Sequence, residues 1–488
     1  MKATAAIALL ALRHALRSRV ILVLAALLFA AAFLLPLAIR SDGTPAGLIR
    51  LHLAYTLGIA TFLLTLASLW AGCAAIAQEA DEKTLQLLLV KPVARFRIWL
   101  GKWLALLLIN AVLLAVVGAA GLATLRWQLA RGGFDPADLA QAKLTTLAAL
   151  ETVRAPLPDI EPDVRAEYEA LRAGGQLPEG AAESVVLDSI RRTQLARRYS
   201  IPPGGARTWT FAVPPFAPKR EPSFRIGVPA DIRDPRIVHV QFKCDSSIPG
   251  AAEYHAALDV EAGPLQTTTE VRAMPGTIQD ILVRSYPADA REARATFRNA
   301  GTHNATLFFD PADGLVLRRE AGTFAGNYVR ALLQLYLRLA LFSAIGVTLG
   351  TLFSLPVASF LALVLVLILQ LSGFISAAAQ VDRETFVANV APFGGGGHHH
   401  GEAAAPEEPG LAARAAATVF YWTYRATWLA LNPLLADRTL DDLASGTWLP
   451  PRRLARNALQ QGLLLPLVLA LVSTYVLKKR EWALPQIN

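Results

Sequence analysis

The stretch from Leu339 to Val381, LALFSAIGVTLGTLFSLPVASFLALVLVLILQLSGFISAAAQV, contains no Asp, Glu, Lys, Arg or His. About 20 apolar residues at a rise of 1.5 Å suffice to cross a hydrocarbon core of roughly 30 Å, so this run is too long for one crossing. Pro356, with Ser354 before it, supplies a place to turn. The stretch therefore reads as two membrane helices, near Ala331–Phe353 and Val357–Ile375. Further apolar runs lie upstream at Val20–Ile39, at Leu51–Ala77 (interrupted only by His52) and at Trp103–Leu125, and one lies downstream at Gly462–Leu477.

The fold class expected is a polytopic α-helical membrane protein of about six spans with an inserted α+β domain containing a β-sandwich. Composition agrees: the 488 residues are 54% hydrophobic, with a mean hydropathy of +0.39. A soluble surface of this size would be more polar. The net charge of +9 does not form a basic stripe, which argues against nucleic acid as a partner. The bases sit beside apolar runs, where they orient spans and meet membrane lipid. Arg13, His14, Arg17 and Arg19, the excursion from Gln78 to Lys102, and Lys478-Lys479-Arg480 then fall on the cytoplasmic face of the inner membrane. Residues 4–18 read as an amphipathic cytoplasmic helix, since no small-residue cleavage site follows them. Arg452, Arg453 and Arg456 run against the pattern, preceding the last span on the outer side.

The domain organisation expected is a membrane part over 1–125 and an extracytoplasmic domain over 126–327, helical in 136–198 and a β-sandwich in 205–322. Spans four and five follow in 328–376, an outer linker with an interfacial or re-entrant helix in 377–461, and the last span and cytoplasmic tail in 462–488. The sandwich is read from alternating runs such as RTWTFAV, RIVHVQFK, IQDILVR and GLVLRR, separated by turn residues.

No GxxxxGK[ST], HExxH, GxSxG or CxxC occurs, so any energetic work must draw on a partner. Attention falls on Gln78–Arg97, QEADEKTLQLLLVKPVARFR, a short excursion between two spans. Glu79, Asp81 and Glu82 fit the first turn of a helix beginning near Gln78, where the dipole favours acids. Leu85, Leu88 and Leu89 share a face at i, i+3, i+4, and Pro92 ends the helix. Such a helix lies along the membrane, packs on its own spans, or docks into a partner.

The segment resembles the cytoplasmic loop of the type 2 exporter class of ABC transporter permeases. That loop has an acid, a Thr-Leu-x-Leu-Leu-Leu run, Pro-Val-x-Arg and then Gly-Lys at the next span. The matching positions here are Glu79, Thr84 to Leu89, Pro92 to Arg95, and Gly101-Lys102, with Glu82 between the acid and the run. Lys83 stands where many members have glycine. Within the class, the chain is most similar to multicopper-enzyme-maturation and gliding-type permeases. The resemblance covers the membrane half of the chain. It implies a non-enzymatic permease with residues 78–97 as a coupling helix, and a separate ABC ATPase subunit that binds ATP and magnesium. It also implies a homodimer or a heterodimer with a related permease, and transport of a substrate, with export the expected direction.

Two other functions fit the sequence: a mechanotransmission permease that works on an extracytoplasmic partner without cargo, and a membrane-anchored adhesion, sensor or assembly module. Arg338 lies inside the apolar zone, where a charge is costly and often functional, unless its side chain snorkels to the outer interface. His398, His399, His400 and Glu402 have metal-ligand chemistry. Adjacent histidines on a glycine-rich tether are poorly preorganised, which favours a linker.

Overall fold

The computed structural model describes residues 2–17, 19–30, 34, 43–85, 93–177, 183–214, 237–248, 253–287, 289–300, 305–370, 415–423, 425 and 438–479. In chain order the membrane-side elements begin with α1 (Lys2–Arg17), α2 (Arg19–Phe29), α3 (Pro45–Asp81), α4 (Arg95–Arg131) and α5 (Pro136–Thr145). There follow β1 (Ala149–Val153), α6 (Glu161–Ala173), α7 (Glu183–Arg198), β2 (Ser200–Ile201), β3 (Ala206–Ala212), β4 (Val238–Phe242) and β5 (Cys244–Ser246). Next come β6 (Tyr254–Ala262), β7 (Leu265–Ala273), β8 (Gln279–Val283), β9 (Glu292–Asn299), β10 (Leu307–Phe309) and β11 (Leu315–Gly322). The chain then returns to helices: α8 (Phe324–Leu352), α9 (Leu355–Gln370), α10 (Thr439–Ala444) and α11 (Pro451–Lys479). Two compact units result, one of residues 1–149, 322–376 and 431–488, the other of 150–321 and 377–430.

In the first unit, α3, α4, α8 and α11 are each long and apolar enough to cross a membrane. The apolar helices α2 and α9 are shorter within the described residues. Thr44 caps α3, its hydroxyl accepting from the Gly47 amide at 3.0 Å, and Pro45 stands where a helix has no use for the missing N–H.

Lipid tails are as apolar as leucine, so helices in a bilayer associate through close packing and polar contacts. Both occur here. A Cβ on Gly72 would lie 2.8 Å from the Gly346 Cα, and one on Gly350 would collide with the Cys73 backbone, so α3 and α8 cross with their backbones in contact. Deeper in the contact, Asn110 of α4 joins both helices. Its amide donates to the Ser343 hydroxyl and its carbonyl accepts from Ser68, both at 3.1 Å. All three residues are buried. At the opposite end of the unit, Asn327 is fully buried and clamps the segment after α10. It donates to the Thr447 carbonyl and accepts from the Leu449 amide, each at 2.8 Å.

The second unit carries three sheets, with strand orders β1-β11-β4-β8, β2-β10-β5 and β3-β9-β6-β7. The β6–β7 pair is antiparallel with Tyr254 opposite Ala273 and Ala262 opposite Leu265, which places Gly263 at φ +55° in the hairpin. Alternation along β3 sends Trp209 and Phe211 inward and leaves Thr208 and Thr210 exposed. Residues of all three sheets, among them Phe242, Phe297 and Leu307, share one core. Phe297 meets Phe309 edge-on at 5.0 Å. Cys244 lies in this core, and burial first, then the Asp245 carboxylate, pushes its thiol up to about 11. Thiolate chemistry is thereby suppressed at neutral pH. Among the described residues α6 and α7 form a smaller cluster around Val164, Tyr168 and Ile190, closed by the Arg191 guanidinium on Glu161 at 2.8 Å.

Candidate functional site

Gln78 to Asp81 form the last turn of α3, not the first turn of a new helix as the acidic run suggests. Acids are unfavourable at the negative end of a helix dipole. The next helix resolves this for Glu79: Lys102 of α4, only 3% exposed, places its ammonium 2.6 Å from the Glu79 carboxylate. The same ammonium donates to the Ala75 carbonyl, one turn before Glu79 on α3. A buried cation thus receives a carboxylate and a carbonyl, and the end of α3 is bound to the start of α4.

The chain leaves α3 through a tight reversal. Glu82 caps the helix, its amide bonding the Gln78 carbonyl at 2.9 Å while its carboxylate accepts from the Gln78 side chain at 3.0 Å. Lys83 has φ +59°, and its amide bonds the Ala80 carbonyl at 3.1 Å. This is the left-handed position after a helix where glycine is favoured, which gives a physical reason for glycine at this place in similar loops. The Thr84 hydroxyl then donates to the Glu79 carbonyl at 3.2 Å. Because a side chain in the left-handed region costs roughly 1–2 kcal/mol, Lys83→Gly is expected to stabilise the protein by about 1 kcal/mol and Lys83→Val to destabilise it. Thermal unfolding of the two variants checks this, and equal midpoints would refute it.

Leu85 is fully buried among Ile76, Trp99, Leu106, Ala344, Val347 and Ala470. Its side chain is therefore held by the chain's own helices, whereas Glu82, Lys83 and Thr84 are exposed. Leu88, Leu89 and Pro92 lie outside the described residues. Arg95 opens α4, and Gly101 follows where α1 crosses it. A Cβ at Gly101 would meet the Ile7 side chain at 2.8 Å and the Thr4 carbonyl at 3.1 Å, so only glycine lets α1 approach this closely. Trp99 and Trp103 stack at 5.5 Å, and the Trp103 indole donates to the Ala340 carbonyl of α8 at 2.9 Å.

Thus Glu79, Thr84, Leu85, Gly101 and Lys102 come together at the bases of α3 and α4, in contact with α1 and α8. Ile7, Trp99 and Trp103 belong to the same site although no local motif marks them; the periodic Trp99/Trp103 pair on one helix face was the available signal. Arg338 is elsewhere, halfway along α8 and about 20 Å from its start by helical rise, its guanidinium 5.6 Å from the Phe342 ring centre. His398, His399, His400 and Glu402 lie outside the described residues. Among the described residues the arrangement ties the end of α3 to the start of α4 and, through Trp103, to α8.

Comparison with known proteins adds one match. Residues 5–151 match the family model described as ABC-2 family transporter protein. The matched region runs from α1 into β1 and contains the whole Glu79–Lys102 site. It supports reading the chain as an integral membrane protein and a permease component of an ABC transporter, a kind of subunit that works with an ABC ATPase. No curated protein and no solved structure matches the chain.

Proposed function

We propose that the chain is the transmembrane subunit of an ABC exporter in the cytoplasmic membrane, driven by a separate ATPase subunit that binds ATP and magnesium. It has six spans with both termini cytoplasmic, and the sheet-bearing unit is an extracytoplasmic β-sandwich domain. It functions as a homodimer or a heterodimer with a related permease, in the manner of multicopper-enzyme-maturation or gliding-type systems. The loop after Asp81 docks on the ATPase through Glu82, Lys83, Thr84 and the leucines that follow, with Arg95 at its return. Glu79, Leu85, Gly101 and Lys102 anchor that loop to the spans. The observation that carries this reading is the family match over residues 5–151, which contains the loop. No residue of this chain catalyses hydrolysis.

The test is co-purification of the detergent-solubilised protein with its ATPase. Leu88→Asp and Glu82→Lys are expected to reduce recovery of the ATPase at least tenfold while leaving the permease folded, since Glu82 is exposed. Absence of any ATPase, or recovery indifferent to both changes, would overturn the assignment. A cysteine at residue 300 is expected to react with a membrane-impermeant maleimide from outside, and one at residue 90 only from inside. Both native cysteines are buried and unpaired, so background labelling is low.

The size of the sheet-bearing unit favours a second reading, mechanotransmission, in which ATP hydrolysis moves that unit against an extracytoplasmic partner. ATP turnover stimulated by such a partner, with nothing translocated in reconstituted vesicles, would select it.

A further inference from the structure

The first turns of α11 hold Arg452, Arg453 and Arg456, cations that an orientation signal does not explain because the opposite end of α11 carries Lys478 and Lys479. Arg453 is neutralised by Asp442 at 2.6 Å. Arg452 and Arg456 are exposed and have no partner among the described residues. The first turns of α11 pack against α8, whose Arg330 lies near the same end of the unit. The Arg330 guanidinium carbon sits 5.9 Å from the ring centre of Trp448, four residues before Arg452. Two donors at this contact, Arg330 Nη1 and Trp448 Nε1, are shielded from solvent and have no acceptor among the described residues. Shielded donors of this kind call for an acceptor, and an arginine fork beside an indole N–H suits the oxygens of a phosphate.

The apolar surroundings decide what carries that phosphate. Leu459 and Leu463 follow Arg456 at i+3 and i+7, and they are 53% and 58% exposed. Val329 and Leu333 flank Arg330 and are 62% and 44% exposed. A cationic rim thus stands directly above aliphatic surface on both helices, which is the pattern of an amphiphile lying at the membrane boundary. Free phosphate would use the rim and have no contact with the aliphatic surface.

We infer that Arg330, Trp448, Arg452 and Arg456 form a binding site for the phosphate headgroup of an anionic membrane lipid in the leaflet at this end of the unit. The lipid would hold the start of α11 against α8, bridging two spans that meet there.

The experiment measures thermal unfolding of the purified full-length protein in a neutral detergent with added phosphatidylglycerol, phosphatidylcholine of the same chains, or inorganic phosphate. Phosphatidylglycerol is expected to raise the midpoint by about 3 °C or more, and the other two to change it little. Arg452→Gln/Arg456→Gln, two exposed side chains whose replacement leaves the fold intact, is expected to remove at least half of that rise. Arg330→Gln is expected to remove most of it, with Trp448→Phe as the milder variant should Arg330→Gln not fold. Arg197→Gln, on the other unit, should leave it unchanged. Equal shifts from both lipids, or a phosphatidylglycerol shift that survives these site variants, overturns the site. An equal shift from inorganic phosphate overturns the assignment to lipid.

Discussion

Glu79→Ala is expected to destabilise the membrane unit by roughly 3–5 kcal/mol, because removing one member of a buried ion pair leaves the other charge without its counterion. Lys102 is the buried member, 3% exposed against 32% for Glu79. Without the carboxylate it keeps, among the described residues, the Ala75 carbonyl alone. The converse change should be milder. In Lys102→Met the remaining Glu79 can hydrate, so a loss of about 1 kcal/mol is expected. The double variant Glu79→Leu/Lys102→Met should recover most of the stability, since a matched apolar pair avoids desolvation altogether. Equilibrium unfolding in detergent measures all three. If Glu79→Ala proves as mild as Lys102→Met, the pair is not buried as described. The double variant also separates anchoring from docking: with stability restored, transport-coupled ATP hydrolysis should still fall if the ion pair carries loop movement into α3 and α4.

Gly346→Leu is expected to be strongly damaging at the crossing of α3 and α8. A Cβ there would lie 2.5 Å from the Leu69 carbonyl and 3.0 Å from the Gly72 Cα. Both are backbone atoms, so relief requires moving a whole helix. Overpacking commonly costs 1–3 kcal/mol, and a loss of about 3 kcal/mol or more is expected here because separation of the helices also stretches the Ser68–Asn110–Ser343 contacts. The yield of monodisperse protein and its unfolding midpoint should both fall. Gly58→Ala is the control: its nearest neighbour would be the Leu440 Cδ1 at 3.8 Å, and removing a helix glycine should be neutral or slightly stabilising. Equal effects at the two positions would refute the close crossing.

The family expectation drawn from Glu79 through Lys102 meets a family match that covers those same residues. Other readings changed. The acids before Lys83 followed a sound local rule, that carboxylates gather at helix starts, yet they end α3. The rule failed because Glu79 answers to Lys102, a partner on another helix. Leu85 had the spacing of a docking face, but periodicity cannot say which apolar surface a leucine will meet, and Ile76 and Trp99 reached it first. Arg338, read from the sequence as lying inside the apolar zone unless it snorkels to the outer interface, sits halfway along α8, which begins at Phe324. Trp448 carried no motif at all; its role arises from Arg330 coming to lie beside it.

Hydropathy and turn chemistry are summed over neighbouring residues, and so the apolar runs that became α3, α4, α8 and α11, and the alternation around Trp209, Val240, Phe297 and Leu317, were legible along the chain. Pairing is a property of residues far apart in it. The Lys102 ammonium on Glu79, the backbone contact of Gly72 with Gly346 and the arginine rim beside Trp448 each depend on where folding brings two helices or segments. Only packing in three dimensions decides which charge is buried, which leucine is covered and which donor is left waiting for a ligand.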